Sequence, residues 1–151
     1  MVNAELRCAA KLIESAVQTT PIGSRCAVVI FARFGDENPG QNNVPAWAEG
    51  LFDPQREGSI GHFYDEMSFA RLRISGEVAP RRYTSLGATG DYLAASSDEP
   101  GDFARFSREI LNQADRDINF ARFDNDGPDG VPNSGDDDGL VDGVFIVVSS
   151  T

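Results

Sequence analysis

Cys26-Ala-Val-Val-Ile-Phe-Ala-Arg-Phe34 is short, nearly all apolar and rich in strand-forming residue types. A strand wetted on one face would alternate apolar with polar residues, so this run predicts a central strand covered on both faces. Near the far end of the chain, Val144-Phe-Ile-Val-Val148 has the same character. Between them the periodicity changes. Ile60, Phe63, Tyr64 and Met67 recur at helical spacing with Asp65 and Glu66 on the opposite side, which predicts a short helix. Leu72, Ile74 and Val78 alternate with Arg71, Arg73, Ser75 and Glu77, the pattern of a strand with one wet face, and Arg81 to Leu86 reads as its partner strand. Phe103, Phe106, Ile110, Leu111 and Ala114 form a second helical stripe behind Asp102, a suitable cap. Buried strands alternating with helices place the chain in the α/β class, with a twisted, mostly parallel or mixed sheet and helices packed against it.

Outward from this centre the chain is less regular. Leu6, Ala9, Ala10, Ile13, Ala16 and Val17 predict an amphipathic helix that Thr20-Pro21-Ile22-Gly23 ends, so residues 1–24 read as a helix and linker ahead of one domain over 25–151. Gly35 to Glu49 is loop-like, and Trp47, Leu51 and Phe52 offer an apolar anchor for it. Gly87 to Gly101 is loop again. No internal repeat of solenoid length is present.

The 24 acidic and 13 basic residues give a net charge of -11, which repels phosphate backbones and argues against nucleic acid as a partner. No apolar run approaches membrane-spanning length. Glu5, Arg7, Lys11 and Glu14 interrupt the start of the chain, which lacks the apolar centre of a secretory signal. Cys8 and Cys26 could pair in an oxidising compartment, but their spacing alone leaves the redox state open.

The acidity is concentrated. Asp124 to Asp142 holds seven acids, no base and several glycines. Carboxylates this dense repel one another, whereas a calcium ion takes six to eight oxygens and suits Asp at alternate positions with glycine at sharp turns. The pairs Asp124/Asp126 and Asp136/Asp138, with Asp129 between them and Asp142 at the end, are the candidate calcium ligands. The twelve-residue EF-hand loop with its closing Glu is absent.

Other chemistry is poorly supplied. His62 is the single histidine, and with Cys8 and Cys26 it has no local ligand spacing for zinc. Gly58-Ser59-Ile60-Gly61 is not a nucleophile elbow, and Gly87-Ala-Thr-Gly90 lacks the lysine of a phosphate-binding loop. Tyr64 and Glu66 are explained by helix packing.

Two blocks carry a resemblance. Ser59-Ile-Gly-His-Phe-Tyr-Asp-Glu-Met-Ser-Phe-Ala-Arg-Leu-Arg-Ile-Ser-Gly-Glu-Val78 resembles the S-V-x-x-Y-Y-x-E-x-S-Y-G-x-L-x-I-x-G-x-V segment of immune inhibitor A type secreted zinc metallopeptidases. Ile118-Asn-Phe-Ala-Arg-Phe-Asp-Asn-Asp-Gly127, followed by Asp138-Gly-Leu-Val-Asp142, is similar to that family's D-F-x-x-Y-D-N-D-G-D-G-x-V-D, with about ten residues inserted. The resemblance implies a zincin-like N-terminal subdomain, a secreted parent endopeptidase acting on proteins or peptides, and structural calcium at the acidic loop. It also implies that zinc is held by an H-E-x-x-H helix downstream of Thr151, in the remaining C-terminal part of the catalytic domain. This stretch would then be inactive alone. Ser149-Ser150-Thr151 stands where many members have His-Ala-Gly. A second expectation, from another class, is a complete calcium-stabilised extracellular binding module without catalysis.

Overall fold

Residues Ala27 to Phe34 are all buried, and the strand that contains most of them, β1 (Gly23–Arg33), organises the sheet. In this computed structural model, residues 22–38, 42–94, 96 and 101–148 are described. The helix expected between Leu6 and Val17, and Cys8 with it, lie outside the described residues. Both edges of β1 are occupied. β2 (Leu72–Val78) and β3 (Tyr83–Thr84) follow one another along one edge, and β4 (Gly143–Val148) pairs with the other; every pairing is parallel.

Parallel neighbours need crossover connections, and these carry the helices. α1 (Ile60–Met67) lies between β1 and β2, and α2 (Phe103–Ala114) between β3 and β4. Alternate residues of β1 therefore meet different partners. Val28, Ile30, Ala32 and Phe34 pack with Tyr83, Tyr92, Phe123 and the α2 residues Phe106, Ile110 and Ala114. Val29 and Phe31 pack on the opposite face with Ala48, Leu51, Phe52 and Ile60. The chain is thus an α/β unit with a mostly parallel sheet, and its central strand reads as continuous apolar sequence because both faces are covered.

The capping residues behave as their chemistry dictates. Ser59 Oγ accepts the His62 N–H at 2.9 Å to start α1, and Asp102 Oδ1 accepts the Arg105 N–H at 3.0 Å to start α2. The predicted stripe of α2 is the buried one, apart from Phe103 at its edge. α1 differs. Phe63 and Met67, expected to point inward, are 54% and 67% exposed, while Gly61 is buried. The cause is a close approach: a Cβ on Gly61 would lie 2.4 Å from the Phe52 carbonyl oxygen, so the helix docks through bare backbone and turns part of its apolar stripe outward. Asp65 is correspondingly half-buried, its carboxylate 3.9 Å from Arg73.

Arg81 to Leu86 also differs from expectation. Only Tyr83–Thr84 is strand, and it pairs with β1 rather than β2. Ala79 N–H still donates to Val29 O at 2.8 Å, but Pro80 has no N–H to continue the ladder. The chain leaves β1 there and rejoins the same edge further along. In the loop after β1, Trp47 remains 53% exposed and meets Phe31 edge-on; Ala48, Leu51 and Phe52 supply the buried contact.

Gly76 sits opposite Ala27 in β2, where an added Cβ would stand 2.0 Å from the Ala27 carbonyl oxygen and 2.7 Å from Phe52 Cζ. Gly90 has open space around the same position. Gly76→Ala is expected to cost about 1–3 kcal/mol through overpacking, whereas Gly90→Ala stays within about 0.5 kcal/mol. Urea denaturation measures both, and equal midpoints would contradict the β1–β2 register.

Candidate metal centre

Phe123 is buried in the core at the end of a short 3-10 helix, Phe120–Phe123, and it draws the next two residues inward. Asp124 is 3% exposed and Asn125 7%. The acidic loop then runs over the surface and returns at Asp142, whose N–H donates to the Phe123 carbonyl at 2.7 Å. The two ends of the loop are therefore held together beside the sheet.

Carboxylates of Asp124, Asp126 and Asp137 converge, with one oxygen from each lying within 4.8 Å of the others. The three oxygens are unequally served. Asp137 accepts the Gly127 N–H at 2.8 Å and the Ser134 N–H at 2.6 Å, and Asp126 accepts the Asp138 N–H at 3.3 Å. Asp124 Oδ1 is buried and has no hydrogen-bond donor. Burial pushes the Asp124 carboxyl above the usual aspartate range, and the charges of Asp137, Asp138 and Asp126 push the same way against the Gly139 N–H. A buried carboxylate oxygen with no donor is costly unless the group is protonated or meets a cation.

The remaining acids do other work. Asp142, whose side chain is 3% exposed, accepts the Cys26 N–H at 2.9 Å and the Asn125 N–H at 3.4 Å, with Arg25 4.0 Å away. Its carboxyl is also raised, by burial first, and it clasps the loop to the start of β1 rather than joining the cluster. Asp129 accepts the Val131 N–H, Asp138 the Leu140 N–H, and Asp136 the Asp129 N–H and the Ser134 hydroxyl. Of the six residues singled out in the sequence, Asp124 and Asp126 are brought together, Asp129, Asp136 and Asp138 brace turns, and Asp142 joins loop to strand. Asp137 is the member that alternation missed. In the run Asp136-Asp137-Asp138 it is the middle carboxylate that joins the cluster, in a stretch shaped by turns such as the one at Gly139, where φ is +79.

An all-oxygen, triply acidic set fits a hard divalent cation, and a zinc site of nitrogen and sulfur donors it does not resemble. His62, half-buried on α1, lies near Glu66 at 3.7 Å, and Cys26 faces the α2 side of the sheet beside Ser75. Two other polar groupings secure loops. Tyr92 donates to Glu109 at 2.5 Å with Arg105 alongside. Tyr83 donates to Asp117 at 2.9 Å, and its hydroxyl is pushed up to about 12 by burial and then by that partner.

The raised carboxyls set a pH dependence. A folded-state value above the unfolded one favours the fold below the ordinary aspartate value near 3.8, and that contribution is lost as pH rises through the raised folded values. At neutral pH without metal, Asp124→Asn is accordingly expected to raise the melting temperature by a few degrees, and in saturating calcium to fall below the wild type. Thermal melts with chelator and with calcium read both halves; a variant less stable than wild type in chelator would contradict the unpaired charge. The chain matches no known family profile and no curated protein sequence.

Proposed function

We propose that the loop from Phe123 to Gly143 is a structural calcium site, set in the N-terminal part of a secreted zinc endopeptidase domain of the immune inhibitor A type. One observation carries the metal reading: the buried Asp124 carboxylate, whose Oδ1 has no donor, converges with two further carboxylates. The family reading is supported by the blocks Ser59 to Val78 and Ile118 to Asp142, which coincide with α1–β2 and with the metal loop leading into β4.

Asp124, Asp126 and Asp137 would hold the ion, which neutralises the cluster and removes the repulsion that otherwise opens the loop. Because Asp142 ties the same loop to Cys26, ordering the loop also fixes where β4 begins against Ala27. The role is therefore architectural. Among the described residues His62 and Cys26 do not compose a zinc site, because they lie on opposite faces of the sheet. Peptide hydrolysis belongs, in this reading, to residues encoded beyond Thr151, and zinc, protein substrates and secretion are properties of that parent.

Among the described residues no helix is long and apolar enough to cross a membrane. Calcium at a hundred times its dissociation constant should stabilise the fold by about 2.7 kcal/mol. Magnesium, which demands tighter octahedral geometry, should give much less. Superimposable melts in calcium and in chelator would refute the site. The peptidase assignment is tested separately: the continuing reading frame should encode H-E-x-x-H, and the purified 151-residue chain should leave casein intact.

A further inference from the structure

On the face of the sheet away from α2, Arg33 at the carboxyl end of β1 and Arg82 just ahead of β3 stand without acidic partners among the described residues. Arg33, the last residue of β1, is 5% exposed. Its guanidinium donates to Thr84 Oγ1 at 2.9 Å, to the Asn38 carbonyl at 3.3 Å and to Asn42 Oδ1 at 2.7 Å. All three acceptors are neutral. Arg82 is joined to the same asparagine, its backbone N–H donating to the Asn42 carbonyl at 2.9 Å, and its side-chain Nε is buried without a partner. Among the described residues neither guanidinium has a carboxylate within ion-pair distance, although acids outnumber bases 24 to 13 in the chain.

This is an uncommon way to spend two charges. An arginine cannot neutralise itself by losing a proton, so burial against neutral acceptors alone leaves part of its desolvation cost uncompensated. Arg33 has five N–H donors and uses three, which leaves donors in the planar fork that matches oxyanions. The position is also informative. In open parallel sheets ligands gather outside the carboxyl ends of the strands, where neighbouring connections diverge, and β1 has β3 on one side here and β4 on the other. Thr84 adds a hydroxyl at the same edge.

We propose that Arg33 and Arg82, with Thr84 and Asn42, form a binding site for a small oxyanion, a carboxylate or a phosphate-like group. Asn42 and Thr84 orient the Arg33 guanidinium, and Asn42 also ties the Arg82 backbone beside it, so that the two positive charges share one neighbourhood. The site lies apart from the acidic loop and does not depend on the calcium reading.

Sulfate, as a tetrahedral probe, and acetate, as a planar one, would be titrated into the full chain at low millimolar concentration. Chloride at equal ionic strength is the control, with calcium held constant. The arginine Nε–H resonances of a ¹⁵N-labelled sample should shift saturably, and the melting temperature should rise with at least one probe. The stronger probe identifies the class, phosphate-like or carboxylate. Arg82→Gln should weaken the response at least tenfold while the protein stays folded; Arg33→Lys, which keeps charge but loses the fork, should weaken it as well. General salting-in or salting-out moves wild type and variants alike. No saturable shift with either probe, or an undiminished shift in Arg82→Gln, would overturn the site.

Discussion

A carboxylate buried at each end of one acidic loop is the constraint around which the C-terminal third of this fold is arranged. Asp142 meets it with two backbone N–H groups, one of them from the central strand. Asp124 does not, because its Oδ1 has no donor and its neighbours are further acids. In the proposed reading, the loop is half built by the protein and half left to a counter-ion. A cation satisfying Asp124 would order the loop through Asp126 and Asp137, and the Phe123–Asp142 hydrogen bond would carry that order to the start of β4.

The sheet explains why that matters. β1 holds β2, β3 and β4 in parallel, and none of them pairs with another, so each depends on its own crossover for placement. β2 is delivered by α1, packed through Gly61. β4 is delivered by the acidic loop, which has few apolar residues to bury. Where hydrophobic burial is scarce, electrostatic closure must hold the connection, and under the proposal metal binding would be folding energy.

Much of this was legible in the sequence, for physical reasons that can be named. The continuous apolar run Cys26 to Phe34 gave the buried central strand, since a parallel strand covered on two faces has no polar side; Val144 to Val148 gave a strand as well, but not the buried one expected, because β4 pairs only with β1 among the described residues and leaves Val144 and Val148 exposed. Alternation gave β2, and Asp102 with its stripe gave α2. The failures share a cause: backbone features that side-chain periodicity does not encode. Gly61 rotates α1 by allowing contact through its missing Cβ, and Pro80 moves β3 along the edge of β1. At the acidic loop the composition pointed to a cation, but which acids converge was set by turns. Asp137 was overlooked because alternation favoured its neighbours, and the two arginines beside the β1–β3 pairing carry no local motif, since Arg33 and Arg82 are joined through Asn42.

The most direct test of the account is a crystal structure of the chain grown in calcium. It should show one strong peak between Asp124, Asp126 and Asp137, with protein and water oxygens at about 2.3–2.6 Å and six to eight of them in all. An ordered loop without that peak, in which Asp124 Oδ1 has found a side-chain donor or lies open to water, would contradict the claim that a cation completes this fold.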